Sequence, residues 1–443
     1  MIKSFFVRSR RLALLCVFGL CQLSLSQDSS WKTYDPGFRV LNIASDNAKK
    51  LWVCGVGEAI AVSSDDGVHW QLKHQAADGG ALLNISFTNS SFGYATGTLG
   101  LFLTTDDGGD TWKKHAIGSD SILLASFSDS QHGLIRTNSS LLFTADGGTH
   151  WSKVSDGQNT DELKRFPYTF YLVALDAMHM AVLIKEGMYS EGGFLTTSDG
   201  GKTWKFLDIP SIAVGTLLKV DGKYLAVGTE VIEKDKPGGG HSVPLALVST
   251  DGENWQHSAH DISKCRLEGC QACKPQGCLA SNGILALIFD EKTEYAEFPP
   301  NKEMTARWAA TDSTLCTVSN AFECVTLSKV ADSNNFNGPA PTVFPPRPLG
   351  ASLGSGPACL SCDVDPLYLD HKVHGSFTLK LSLEIARNGT VKNVTVEGAP
   401  SKTIEDTIRQ RAQLWIFEPY LKDGSPAELK LNTSLRITVI TPR

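Results

Sequence analysis

Five short segments of the chain share one pattern: SSDDGVHW at 63–70, TTDDGGDTW at 104–112, TADGGTHW at 144–151, TSDGGKTW at 197–204 and STDGENW at 249–255. Each ends on tryptophan. Trp70, Trp112, Trp151, Trp204 and Trp255 recur at intervals of about 40 to 50 residues, the period of one four-stranded propeller blade. The chemistry is that of a tight hairpin. A Ser or Thr hydroxyl and the carboxylates of Asp65, Asp107, Asp146, Asp199 and Asp251 can hydrogen-bond the backbone of their own turn, and the following glycine accepts a backbone angle that side chains resist. The closing tryptophan buries a large ring between neighbouring units, which a short unit cannot stabilise alone. These ten residues are therefore expected to be architectural.

Between the turns the chain alternates as strands do. Leu83–Phe87, Phe92–Gly97, Leu101–Leu103 and Trp112–Lys114 form one complete unit, and Ile122 to Trp151 and Phe170 to Trp204 repeat the order. The fifth unit carries a Gly-rich insertion at Lys236–Gly240. Trp31-Lys32 mimics the start of a fourth strand and is placed to complete the last blade, closing a ring without exposed sheet edges. Beyond Trp255 the boxes stop, but Ile284–Phe289, Tyr295–Phe298, Ala306–Ala310, Leu315–Val318 and Cys324–Leu327 still read as strands of two degenerate blades. The expected fold is mainly β: a seven-bladed propeller over 27–330, or a six-bladed one if those last strands share a single blade.

The turn motif resembles the Asp-box, or BNR, repeat. The three long forms fit S/T-x-D-x-G-x-T-W, with His150 replacing the Thr in the third, and the first and fifth read as one residue shorter. A G-Y-A-x-G segment before D-G-G-x-T-W, in a ring of consecutive units, resembles the photosystem II assembly and stability factor propellers and their bacterial relatives. That resemblance covers roughly residues 28–330 and implies a non-catalytic binding propeller. Sialidases and xyloglucanases also carry Asp boxes, and Phe38-Arg39-Val40 is similar to the sialidase F-R-I-P opening with Leu41 in place of the Pro. A glycoside hydrolase is therefore the alternative. Such enzymes need an arginine cluster or two carboxylates flanking the scissile bond, and the box aspartates are poor candidates because their turns require them.

From Ala331 to 372 the composition turns to Pro, Gly, Ser and Asn, as in a linker. Within it, Gly350-Ala351-Ser352-Leu353-Gly354 matches the G-x-S-x-G elbow of serine hydrolases, but neither the buried strand before it nor the helix after it is present. Residues 373–443 form a different unit. Phe377, Leu379, Leu381, Leu383 and Ile385 alternate with polar residues, Asn388-Gly389 supplies a turn, and Val394 and Val396 continue on the return strand. Thr403 through Asp406 offers a capping box, Ile404, Ile408 and Ala412 share a helical face leading to Leu414 and Trp415, and Leu429 to Val439 alternates as a final strand. This ββαβ order, with Gly389, Trp415, Phe417, Pro419 and Gly424 in its motifs, resembles the TonB C-terminal domain. The resemblance implies partner binding by strand addition to envelope proteins, or pairing with a second copy. A role accessory to TonB-type outer-membrane transport is a further alternative; energy transduction itself would need a persistent anchor and a long spacer.

The N-terminus reads as an export signal over residues 1–26. Lys3, Arg8, Arg10 and Arg11 precede an apolar run from Leu12 to Leu25, short of the roughly 20 residues that span a bilayer, and small residues stand before a cut at Gln27. No integral membrane span would remain after cleavage, and the periplasm or envelope of a Gram-negative bacterium, or the extracellular space, is the expected location. Of 11 cysteines, Cys16 and Cys21 leave with the signal, and the rest enter a disulfide-permissive compartment. Cys265, Cys270, Cys273 and Cys278 could hold zinc tetrahedrally, but two disulfides are the expectation there. Cys316 and Cys324 could bridge a hairpin, Cys359 and Cys362 form a C-x-x-C without the βαβ setting of a thioredoxin, and Cys54 is the candidate odd residue. No catalytic residue, metal or cofactor is expected. Net charge of -6 with 20% charged residues gives no electrostatic grip on nucleic acid.

Overall fold

The computed structural model describes residues 32–46, 50–76, 79–154, 168–185, 192–208, 212–220, 222–232, 241–258, 272–274, 277–279, 284–289, 292–297, 308–310, 314–318, 322–326, 328–330, 351–352, 357–362 and 375–439. Strands dominate. Val40–Ser45, Leu51–Gly55, Ala59–Ser63 and Gln71–His74 pair in chain order into one antiparallel sheet, and four more four-stranded sheets follow with the same order. The inner strands LWVCG and AIAVS are buried throughout, because both of their faces meet a neighbouring sheet, whereas the fourth strand QLKH is exposed to half-buried at the rim. The first strands touch in sequence. Val40–Ser45 meets Leu82–Phe87, which meets Ile122–Phe127, then Tyr168–Ala174, then Ile212–Val220, then Ala272–Lys274. This is the radial arrangement of a β-propeller.

A further four-stranded sheet closes the arrangement. Its order is Lys32–Thr33, Phe322–Thr326, Thr314–Val318 and Trp308–Ala310, so the first described residues form the outer strand of the last such sheet, with Lys32 opposite Cys324 and Thr33 opposite Glu323. Trp31 lies outside the described residues. Cys316 and Cys324 face each other across the hairpin and are joined by a disulfide. Their side chains pack with Phe322, Val318 and Ala309 against Val40, Ile43, Leu51 and Val53 of the first sheet. Between the fifth sheet and this one stands a five-stranded sheet in which Ser328–Val330 returns to pair with Lys292–Glu297.

The C-terminal unit has a three-stranded antiparallel sheet in the order Val391–Glu397, Gly375–Ile385, Leu429–Val439. The long pair is in register from Gly375 opposite Val439 to Ile385 opposite Leu429. The helix Lys402–Gln413 lays Ile404, Ile408 and Ala412 on Leu379, Leu381, Leu383 and Ile385, with Trp415 and Phe417 completing the core. Gly389 is required twice over: its φ is +84°, and a Cβ there would lie 2.0 Å from the Phe417 carbonyl oxygen. Pro419 flanks the same contact, and Gly424, at φ +77°, turns the short hairpin of Leu421–Lys422 and Ser425–Pro426.

Three features differ from the sequence reading. The first box is full length rather than one residue short: Asp66 takes the left-handed position at φ +57° that Gly108, Gly147 and Gly200 take elsewhere at φ 71°, 69° and 75°. Only the fifth box is shortened, its Ser249 hydroxyl bonding Gly252 three residues on instead of four. The helix cap is Ser401, whose extended backbone lets its hydroxyl accept from Ile404 N–H at 3.3 Å, so Thr403–Asp406 lies within the helix instead of capping it. And the stretch read as linker holds two strands, Ala351–Ser352 and Ala358–Ser361, the second of which pairs with Ile416–Phe417. Ser352 thus sits in a strand opposite Ala358. The export signal at 1–26, the insertion at 236–240, Cys265 and Cys270 lie outside the described residues; Cys273 and Cys278 stand opposite each other in backbone register.

Candidate interaction faces

The box turns occupy one end of the sheets. In each, the leading hydroxyl donates to the aspartate and accepts a backbone N–H: Ser63 to Asp65 at 2.8 Å, Thr105 to Asp107 at 2.7 Å, Thr144 to Asp146 at 2.9 Å, Thr197 to Asp199 at 2.8 Å and Ser249 to Asp251 at 2.9 Å. The same carboxylate oxygen accepts the N–H of His69, Thr111, His150, Thr203 or Asn254. The other oxygen takes the side chain of that residue. Histidine substitutes for threonine in two boxes because its Nδ1 reaches the same oxygen, at 2.6 Å in both.

This bonding favours the charged carboxylate. The backbone and side chain of His69 bring Asp65 down from 3.8 to about 2, and the His150 backbone and side chain do the same for Asp146. The Thr111 hydroxyl and N–H bring Asp107 to about 2, and those of Thr203 bring Asp199 to about 2. At Asp251, burial pushes upward but the Asn254 backbone and amide outweigh it, and the net shift is down. Trp70, Trp151, Trp204 and Trp255 each donate Nε1–H to the carbonyl of the box glycine, at 2.8 to 3.2 Å. Trp112 departs: its Nε1 is buried without a partner, while its ring meets Trp52 and Phe87 edge-on.

The opposite end carries the starts of the first strands and the turns between second and third strands. The first strands are stitched to one another by side chains: Asn42 Nδ2 donates to the Leu83 carbonyl at 2.8 Å, Asn84 Nδ2 to the Ala125 carbonyl at 3.4 Å, and Ala174 N–H to Ser126 Oγ at 3.0 Å. The first strands of the first five sheets also slip register near their starts, between Val40 and Asn42, Leu82 and Asn84, Ile122 and Leu124, Thr169 and Tyr171, and Val214 and Thr216. Repetition of one bulge in five sheets marks it as part of the repeat. Nearby, Glu58 is buried at φ +52°, donates its N–H to the Gly80 carbonyl, and has its carboxylate paired to Lys114 Nζ at 2.8 Å and His74 Nε2 at 3.2 Å. It ties the first sheet to the second.

The C-terminal unit docks on this end. Leu360 and Ile416 are buried against Leu41, Ala81, Leu83 and Leu123, from the first three sheets. Beside them Ser121 N–H donates to Glu418 Oε1 at 3.3 Å, and burial, with Asp120 adding, holds the Glu418 carboxyl above its ordinary 4.5. The sequence motifs singled out Trp415, Phe417 and Pro419 but gave no sign of this contact, which is made by the residues between them: Trp415 and Phe417 turn into the core of the C-terminal unit, and Ile416 and Glu418 meet the propeller. Among the described residues no group of three His, Cys, Asp or Glu side chains is arranged to hold a metal ion, and no helix is long and apolar enough to cross a membrane.

These sheets and turns define a BNR-type β-propeller. Residues 75–230 match the family model described as Photosynthesis system II assembly factor YCF48. Among solved structures, the chain is similar to YCF48 bound to D1 peptide at 16% identity, covering 68% of this chain and 97% of that one with a TM-score of 0.40. YCF48 from Cyanidioschyzon merolae matches at 12% identity over 69% of this chain and 99% of that one, TM-score 0.36. The GH74 xyloglucanase from Xanthomonas campestris matches at 13% identity over 71% of this chain and 55% of that one, TM-score 0.39. No curated protein matches the chain.

Proposed function

We propose that the chain is an exported, non-catalytic binding protein of the cell envelope, with a seven-bladed propeller as its interaction platform and residues 373–443 as a second binding module. The observation that carries this reading is the match of residues 75–230 to an assembly-factor family model. The box chemistry agrees with it. Every box carboxylate is bonded on both oxygens within its own turn and held ionised, which suits a fixed corner and not a general acid. In the C-terminal unit, Leu429–Val439 is one of the two outer strands of its sheet, contains no proline, and offers an edge for strand addition by an extended partner segment.

Pull-down from envelope fractions with the mature chain, followed by hydrogen exchange on the purified complex, tests the reading. A partner strand should slow exchange along Leu429–Val439, and a chain lacking residues 373–443 should lose that partner. Turnover of sialosides or xyloglucan by the purified chain would replace this reading with the hydrolase alternative.

A further inference from the structure

Leu360 stands between two cysteines that face a different body from the one it faces. Cys359 lies opposite Phe417 and Ser361 opposite Ile416, so the register slips and Leu360 is left over between the two rungs. A bulged residue leaves the strict alternation of the strand and its side chain is re-aimed. Here it is re-aimed into the propeller, where Leu360 is 1% exposed among Leu41, Ala81, Leu83 and Leu123. Cys359 and Cys362 turn the other way, joined by a disulfide and buried with Leu379, Leu383 and Trp415 in the core of the C-terminal unit. One four-residue segment thus touches both bodies, and a covalent bond spans the bulge.

We propose that docking of the C-terminal unit on the propeller is conditional on the Cys359–Cys362 disulfide, so that the two halves of the chain join only after oxidation. With both thiols free, the strand can slip by one residue. A slip exchanges inward and outward side chains and withdraws Leu360 from the propeller. The bond fixes the register that presents it. The oxidation balances with a disulfide oxidant: Cys359 and Cys362 give up two protons and two electrons to form their bond, and the oxidant is cleaved to two thiols that take them up. In a reducing compartment the halves remain apart, and in an oxidising one they lock.

The test uses the full chain and the amide of Ser121, whose protection depends on Glu418 of the docked unit. Hydrogen exchange is compared in the oxidised chain, a Cys359→Ser/Cys362→Ser variant, and a Cys316→Ser/Cys324→Ser variant as the control for the other disulfide. The first variant should exchange Ser121 about tenfold faster or more, with Gly375–Ile385 and Leu429–Val439 still protected, while the control leaves Ser121 slow. Unchanged protection of Ser121 in the first variant overturns the proposal. Should that variant unfold the C-terminal unit, the Cys316→Ser/Cys324→Ser chain treated with a thiol reductant decides: Ser121 exchange that quickens as Cys359–Cys362 opens supports the proposal, and wild-type protection in the reduced chain overturns it.

Discussion

Lys32 and Cys324 lie opposite each other across an antiparallel pair, and Cys324 is in turn bonded to Cys316 on the next strand. The closing sheet is therefore held by backbone pairing on one side and a covalent bond on the other. Loss of the bond through Cys316→Ser/Cys324→Ser should lower unfolding stability by about 2 kcal/mol, the range for a short disulfide loop. Urea titration measures it. A midpoint unchanged from wild type would mean that the ring closes without help from the disulfide.

The tryptophans of the boxes are not equivalent. Trp204→Ala or Trp112→Ala should each cost on the order of 3–5 kcal/mol through the lost ring. Phenylalanine separates them. Trp204 loses its Nε1–H bond to the Gly201 carbonyl, whereas Trp112 has no such bond to lose, so Trp204→Phe should cost about 1 kcal/mol more than Trp112→Phe. Thermal melts of the two variants side by side give the difference, and equal losses would remove the hydrogen bond from the account.

Much of this architecture is written in the sequence, because the box turn needs one hydroxyl, one carboxylate, one glycine and one tryptophan at fixed offsets. Asp107, Thr111 and Trp112 can be read off directly. The first box misled because Asp66 occupies a left-handed position where glycine is the usual signal, and an aspartate there looks like a missing residue. That Lys32 opens an outer strand of the last blade is legible as an orphan strand start, whereas its register opposite Cys324 is not. The docking of Leu360 and Ile416 was not: contacts between residues so far apart leave no periodic trace, and a bulge erases the alternation that would have shown which way Leu360 points.

Asp66 also yields a prediction. A residue other than glycine in the left-handed region carries a steric cost of about 1 kcal/mol, softened for aspartate. Asp66→Gly should therefore raise stability by about 0.5–1 kcal/mol, whereas Gly147→Asp at the matching position of the third box should lower it. Denaturant midpoints with unchanged slope would show both. A destabilised Asp66→Gly chain would mean that the Asp66 side chain contributes more than its backbone costs.

The boxes set an acid limit on stability. Asp65, Asp107, Asp146 and Asp199 have folded values near 2 against an ordinary 3.8, so the unfolded chain binds more protons between those values. Their contribution is complete above about pH 4 and is lost as pH falls toward 2. Asp199→Asn should flatten part of that decline, with the variant and wild type converging at the acid end. Urea midpoints at several pH values between 5 and 2 provide the check, and parallel curves for the two chains would assign the acid sensitivity elsewhere.

Glu418 works in the opposite sense. Burial against the propeller, reinforced by Asp120, holds its folded value above the ordinary 4.5, so the docked state favours the protonated carboxyl. The stability it lends is fully present below the unfolded value and declines as pH rises through the folded one. Docking of the C-terminal unit should therefore be tighter in mild acid than at neutral pH. Glu418→Gln keeps an oxygen for Ser121 N–H but cannot ionise, so it should hold the acid-side docking at neutral pH. Exchange of the Ser121 amide, corrected for the intrinsic effect of pH, reports the equilibrium directly. Wild type should lose protection on going from pH 5 to 7.5 while Glu418→Gln does not. Identical profiles for the two chains would show that the docking contact is carried by Leu360 and Ile416 alone, with the carboxyl contributing nothing that depends on its charge.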